Sequence, residues 1–166
     1  MIAIALMFAS LCAPMRADAA DPVLLDLSNA ELVAAALRDA GYKAEIKTYP
    51  NGEKYIDSAV NGQGFSVNLD NCEAGKCVAL QFTSWWKAEP LFTPALANEW
   101  NHNRRFLRVS LDKQGNLVEW LDFSVAGKLT KENFADVIDW YAAMDAELNK
   151  FLEEKRNAAK TGGAKK

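Results

Sequence analysis

The side chains that could do chemistry are few and lie far apart along the chain. His102 is the only histidine among the 166 residues. A hydrolytic nucleophile needs a nearby base and a third group that orients the base, and no Gly-x-Ser-x-Gly elbow accompanies His102. The sequence has neither a phosphate-binding loop nor a dinucleotide fingerprint. We therefore predict no catalytic site and no cofactor, and we interpret the remaining candidate acids as cap, helix or turn residues: Glu31, Glu99, Asp112 and Asp122.

Cys72 and Cys77 form the second candidate, with Glu-Ala-Gly-Lys between them. A metal site would need two further ligands, and His102 supplies at most one of them. A redox-active pair prefers the spacing Cys-x-x-Cys, which this is not. In an oxidising compartment such a pair forms a disulfide by default. We predict a structural bridge between Cys72 and Cys77 and no bound metal.

A cluster of donors around residues 100–105 is the first binding candidate. Arg104 and Arg105 follow Trp100 and Asn101 closely, and they could present guanidinium and amide donors to an acidic or amide-bearing partner. The alternative is structural, with these side chains tying a helix-to-strand corner to nearby groups. We favour the structural interpretation.

Trp85 and Trp86 are the second binding candidate. Adjacent residues of a strand point to opposite faces, so we expect one ring to be buried and the other to be exposed. An exposed tryptophan is a frequent anchor of protein interfaces. The alternative is that both rings only pack against the core and its edge.

The first nineteen residues resemble a secretory signal. Residues 2–13 are an apolar run that only Ser10 interrupts, too short to span a bilayer, although no Lys or Arg precedes it. Ala17-Asp18-Ala19 then provides a small-x-small cleavage motif. We predict a signal peptide over residues 1–19, cleavage between Ala19 and Ala20, and no stable membrane insertion afterwards. The expected location is periplasmic or secreted, in a Gram-negative bacterium.

Charge divides the remainder into one domain and a tail. The formal net charge is -3 and the pI is near 5.3, which argues against a nucleic-acid partner because phosphates require a basic face. Residues 155–166 are rich in Gly, Ala and Lys and contain no acidic residue. We predict a single domain over residues 20–154 and a disordered basic tail over 155–166, which is more simply solvated than bound to anionic lipid.

Periodicity predicts an α+β domain in the order helix, three or four strands, helix, two strands, helix. Ser28 and Glu31 form a capping box for the first helix, and Gly41 ends it. Thr93 and Pro94 begin the second helix, and Thr130 caps the third. The predicted helices are 29–40, 94–103 and a long one after Thr130, and the predicted strands are 44–49, 54–60, 63–70, 77–86, 105–111 and 117–125.

Two alternation patterns predict which side chains are buried. Val78, Leu80 and Phe82 occupy alternate positions of one strand and should share a face. Leu96 and Trp100 share one face of the short second helix, so we expect the Trp100 ring to be buried. Asn98 and Asn101 should end that helix and bond the backbone of the following corner.

Several motifs resemble the YbjN-domain family, which is also described as a bacterial sensory transduction regulator. The resemblance spans about Ser28 to Leu152. It implies a fold similar to class I type III secretion chaperones, with an antiparallel sheet of about five strands packed by three helices. It also implies protein binding, with a homodimer as one arrangement, and no enzymatic activity. The motifs that carry it are Gln63-Gly64-Phe65-Ser66-Val67, Cys72 and Cys77, Leu80-Gln81-Phe82, Asn98-Glu99-Trp100-Asn101, Arg105-Phe106 and Leu111-Asp112.

Two hypotheses about function follow. The first is an exported, non-enzymatic binding or chaperone-like module that recognises protein through its sheet or its tryptophan-rich corner. The second is a periplasmic domain that binds a small ligand or lipid in a pocket between the sheet and the third helix. The signal peptide sets the chain apart from many members of the family and argues against a cytoplasmic signalling role.

Overall fold

The computed structural model describes residues 23–163, which form an α+β fold. Six antiparallel strands form the main sheet, and two short strands pair in a separate two-stranded ladder. The six strands of the main sheet correspond to the six strands predicted from periodicity, whereas the family resemblance implied about five. The helices are α1 (Ala30–Asp39), α2 (Pro94–Asn103) and α3 (Lys131–Gly163). The strands are β1 (Leu24–Leu25), β2 (Glu45–Thr48), β3 (Lys54–Val60), β4 (Gln63–Glu73), β5 (Lys76–Trp86), β6 (Arg108–Leu111), β7 (Leu117–Ser124) and β8 (Leu129–Thr130). The order in the main sheet is β2-β3-β4-β5-β7-β6, and β1 pairs with β8 in the separate ladder.

Tight hairpins build the centre of the sheet. Asn61-Gly62 joins β3 to β4 and Ala74-Gly75 joins β4 to β5, and all four residues have positive φ. Two successive residues with positive φ form a turn whose backbone twist matches the right-handed twist of the flanking strands. Cys72 and Cys77 lie directly opposite each other beside the second turn, where a disulfide joins them. The predicted bridge is thus present.

The core lies between one face of the sheet and the helices. Phe65 and Phe82 on the sheet contact the ring of Tyr141 on α3, with centroid distances of 5.0 and 5.4 Å. An apolar stripe along α3 faces this layer. Its fully buried members are Phe134, Ile138, Tyr141, Leu148 and Leu152.

The ends of α1 confirm one prediction and correct another. Asn29, not Ser28, caps the helix, because its side chain accepts a hydrogen bond from the amide of Leu32. The Ser28 amide instead donates to the side chain of Asp26. Gly41 ends the helix as predicted: it has a φ of +90° and its amide donates to the carbonyl of Arg38.

Two strand predictions are wrong in detail. Val78 is exposed whereas its neighbour Cys77 is buried, so the alternation that holds at Leu80 and Phe82 does not extend to the start of the strand. The strand predicted from Arg105 begins only at Arg108. The chain turns at Phe106, where φ is +66°, before it can pair.

Helix α3 continues beyond the point where we predicted a disordered tail. It is helical to Gly163, whereas the sequence predicted disorder from Lys155. Two ion pairs lie where the extension begins: Lys155 Nζ is 2.6 Å from a carboxylate oxygen of Glu99, and Arg156 Nη2 is 2.7 Å from Glu89 Oε1. Composition alone misses these pairs because their acidic partners are distant in sequence.

The predicted signal peptide and its cleavage position between Ala19 and Ala20 fall outside the described residues, as does the end of the predicted tail. Within residues 23–163, no helix combines the length and apolar character needed to cross a bilayer.

Replacing both Cys72 and Cys77 by serine should destabilise the fold only modestly. The bridge closes a short ring, so the chain-entropy estimate of its contribution is about 2 kcal/mol. Urea unfolding should show a lower midpoint and a cooperative transition. A variant that fails to fold, or one with an unchanged midpoint, would contradict this estimate.

Candidate functional site

The corner between α2 and β6 begins with a well-defined helix. Thr93 Oγ1 accepts a hydrogen bond of 3.2 Å from the amide of Leu96, and Pro94 occupies the first turn, as predicted. Trp100 is 1% exposed. Its indole Nε1 donates to the carbonyl of Leu107 at 3.1 Å, and its ring lies 5.5 Å from that of Phe151 on α3. The ring is therefore buried as predicted, with its one polar atom satisfied.

Asn101 connects the helix to the edge of the sheet. Its Nδ2 donates to the carbonyl of Val109 at 2.9 Å, and its Oδ1 accepts from the amide of Val109 at 3.0 Å. Strand β6 is an outer strand, so these backbone groups have no neighbouring strand on that side. The helix has the predicted bounds and ends at Asn103, and Asn101 bonds the backbone of the corner as predicted. Neither Asn98 nor Asn101 ends the helix, and Asn98 is exposed in its middle.

The two arginines of the corner have different surroundings. Arg104 Nε lies 3.0 Å from a carboxylate oxygen of Glu147 on α3, and the guanidinium lies 5.4 Å from the centre of the Trp100 ring. Arg105 places its guanidinium 4.9 Å from the centre of the Phe106 ring. Among residues 23–163, no acidic side chain forms a salt bridge with Arg105.

Phe106 is held outward by an unusual backbone turn. The amide of Leu107 donates to the carbonyl of Arg105 at 2.8 Å, which closes a γ-turn around Phe106 with a φ of +66°. Positive φ is unfavourable for a bulky residue. The Phe106 ring lies 4.8 Å from the Trp140 ring of α3, and the two residues are 47% and 45% exposed. The sequence analysis did not predict that Phe106 and Trp140 form an exposed pair.

Trp85 and Trp86 lie away from this corner and divide as expected. Trp85 is 65% exposed and pairs with Val118 on the face opposite the helices, whereas Trp86 is partly buried against the core.

The open face also carries a chain of polar side chains linked by hydrogen bonds across neighbouring strands. Its members are Tyr49, Asn68, Gln81 and Asp122.

A buried acidic pair beneath the sheet was missed by sequence analysis. Glu119 of β7 is 0% exposed and Asp145 of α3 is 1% exposed. Tyr141 Oη donates a 2.8 Å hydrogen bond to Glu119 Oε1. Burial raises the pKa of Glu119 to about 8, and the negative charge of Asp145 adds to the shift. The pKa of Asp145 is also raised by burial.

The sequence did carry a signal for this pair. Glu119 alternates with Leu117 and Leu121, which face the core, and Asp145 falls between Tyr141 and Leu148 on the apolar stripe of α3. Both acids therefore occupy inward positions of their elements. Because neither reaches solvent, the pair can hold a proton but cannot contact a substrate. Across residues 23–163, no cluster of three or more His, Cys, Asp or Glu side chains is arranged to bind a metal ion.

Comparison with known proteins places this architecture in a family. The family model described as "Putative bacterial sensory transduction regulator" matches residues 29–154. The chain belongs to the YbjN family. The YbjN match begins at the cap residue of α1 and includes the whole α2–β6 corner and both members of the buried acidic pair.

A solved YbjN structure has the same fold. The crystal structure titled "YbjN, a putative transcription regulator from E. coli" aligns over 71% of this chain and 85% of its own, with a TM-score of 0.51 and 18% sequence identity. At this identity the similarity concerns the fold alone. The curated proteins compared with the chain include no match.

Truncation of Trp100 should be far more damaging than truncation of Asn101. Trp100→Ala removes a fully buried ring and should cost about 3–5 kcal/mol of unfolding free energy. Asn101→Ala removes two hydrogen bonds at an edge strand and should cost roughly 1–2 kcal/mol. Urea unfolding measures both, with the exposed Asn98→Ala on the same helix as the matched control. An unchanged midpoint for Trp100→Ala would contradict the structural role of the ring.

Proposed function

We propose that the protein is a non-enzymatic module that binds another protein through the surface formed by Arg105, Phe106 and Trp140, called here the Phe106 surface. The observation that carries the proposal is the exposed ring-to-ring contact between Phe106 and Trp140. An unfavourable backbone conformation holds the phenylalanine in this exposed position. Backbone strain of this kind is concentrated at functional sites.

The composition of the Phe106 surface matches that of protein interfaces. Aromatic residues and arginine are enriched among the residues that contribute most to binding energy. Phe106 and Trp140 offer apolar area, and Arg105 offers a guanidinium that no described acidic side chain pairs with. A fitting partner would bring an apolar side chain to the rings and a carboxylate to Arg105.

A fixed support favours recognition by a preformed surface. The Phe106 surface joins the α2–β6 corner to α3, and the corner is held by the buried Trp100 and by the two bonds from Asn101. Preorganised side chains lose less conformational entropy on binding. The resemblance to secretion chaperones points in the same direction, since those proteins act by binding other proteins.

Binding of a small ligand or lipid is the second candidate. The predicted pocket between the sheet and α3 is occupied by the packed rings of Phe65, Phe82 and Tyr141. A separate cleft of about 300 Å³ lies between α1 and the start of α3, where Ala36 and Phe134 contribute apolar walls. This volume is at the lower limit for ligand sites. We therefore rank this function below protein binding.

We also propose that the protein acts outside the cytoplasm. The Cys72–Cys77 disulfide is compatible with an oxidising compartment. The predicted cleavage motif before Ala20 supports export by a signal peptide. N-terminal sequencing of protein recovered from the periplasm or the medium should begin at Ala20. Recovery of the full-length chain from the cytoplasm alone, with free thiols at both cysteines, would overturn this proposal.

Photocrosslinking tests the binding surface directly. A benzophenone amino acid in place of Trp140 should yield a discrete crosslinked protein in cells, and the same probe in place of Trp85 on the open sheet face should not. Adding Phe106→Ala or Arg105→Ala should weaken the Trp140 crosslink at least several-fold, because each removes a contact group, and circular dichroism should show an unchanged fold. Adding the exposed control Asn98→Ala should leave the crosslink intact.

Two results would count against the Phe106 surface. Crosslinking only from position 85 would assign recognition to the open face of the sheet. A Trp140 crosslink that persists at full strength in both Phe106→Ala and Arg105→Ala would show that the product does not depend on this surface.

A further inference from the structure

Glu119 and Asp145 are buried together between β7 and α3 without a compensating cation. Glu119 Oε2 and Asp145 Oδ2 are both enclosed, and neither has a hydrogen-bond donor within reach. No salt bridge of the described residues includes either group. Two unpaired negative charges in an apolar layer would be strongly unfavourable. A proton between the two groups would satisfy both orphaned oxygens.

The groups that face the pair cannot replace this proton. From α3, Tyr141 donates to the other oxygen of Glu119, and Asn149 Nδ2 lies 3.3 Å from Asp145 Oδ1. From the neighbouring strands, Ser84 of β5 and Val109 of β6 pair directly with Glu119. The hydroxyl of Ser84 donates to the carbonyl of Gly64, and Val109 is apolar. The charged and titratable groups that act on Glu119 are thus Asp145 and Tyr141.

We propose that Glu119 and Asp145 form a buried proton-binding site that holds α3 against the sheet and weakens this contact when the proton leaves. The bound proton resides on Glu119, whose carboxyl group donates to Asp145 while accepting from Tyr141. Loss of the proton leaves two carboxylates facing each other, and one element must move or admit water. The site is therefore a pH-sensitive contact within the fold.

The sign of the pH dependence follows from the raised pKa. Glu119 titrates near pH 8 in the folded state and near its ordinary value of 4.5 when unfolded. Between these values the folded state binds one more proton, so the stability that Glu119 contributes is fully present below about pH 4.5 and is lost as the pH rises towards 8. The contribution of Asp145 has the same sign because its pKa is also raised. The unfolding equilibrium constant should rise about tenfold per pH unit across this interval.

A direct titration of Glu119 tests the proposal without relying on a variant that could fail to fold. The ¹³Cδ signal of Glu119 should report an apparent pKa near 8 in the wild-type protein. Asp145→Asn removes the neighbouring charge and should lower this value, whereas Tyr141→Phe removes a donor to the carboxylate and should raise it. A titration near 4.5 in wild type, or shifts of the same direction in both variants, would overturn the proposal.

Stability measurements supply the second readout. Urea unfolding of the wild type from pH 5 to pH 8 should show the tenfold change per pH unit. Glu119→Gln mimics the protonated acid and should remove most of this dependence. Asp122→Asn on the exposed face of the same strand should retain it. Equal pH dependence in Glu119→Gln and wild type would show that the buried pair is not the proton-binding site.

Discussion

The α2–β6 corner depends on the docking of one helix end onto one edge of the sheet. Trp100 fills the space under the corner and its indole N–H donates a hydrogen bond to the carbonyl of Leu107. The side-chain amide of Asn101 bonds both backbone polar groups of Val109. The amide thereby takes the place of a further strand at an exposed edge, where open backbone groups would otherwise favour association. These three contacts fix the position at which the chain leaves the helix and enters β6.

Helix α3 connects this corner to the rest of the fold. Its outer side forms ion pairs with Arg104 and Glu99, and Trp140 contacts the ring of Phe106. Its inner side presents Tyr141 and Asp145 to β7. Trp140 and Tyr141 are adjacent residues, so the exposed aromatic pair and the buried acidic pair depend on the same turn of the helix. A change in how this turn sits on the sheet would affect both.

Periodicity and capping were sufficient to predict most of the fold. The strand from Lys54 to Val60, the cap at Thr93 and the burial of Trp100 follow from local patterns, and the structure contains them. The family resemblance is confirmed by a match to residues 29–154. The cap of α1 was assigned to Ser28, but Asn29 is the cap. Both residue types cap helices well, so the sequence alone did not distinguish between these neighbours.

The parts that the sequence did not predict depend on contacts between distant residues. Lys155 and Arg156, where disorder was predicted to begin, pair with Glu99 and Glu89, which lie more than fifty positions earlier in the chain. The exposed pair of Phe106 and Trp140 requires a turn with positive φ at Phe106, and no glycine at this position indicates such a turn in the sequence. The acidic pair required a comparison of two inward positions on separate elements, and each acid alone resembles an ordinary surface residue.

The docking of Asn101 on β6 is most directly tested by amide hydrogen exchange at Val109. The Val109 amide donates to Asn101 Oδ1 and lies on the side of β6 that faces away from β7. We expect strong protection in the wild type and much faster exchange in Asn101→Ala, while the amides of β7 that pair with β5 keep their protection. Equal exchange at Val109 in the two proteins would contradict the claim that this side chain holds the corner in place.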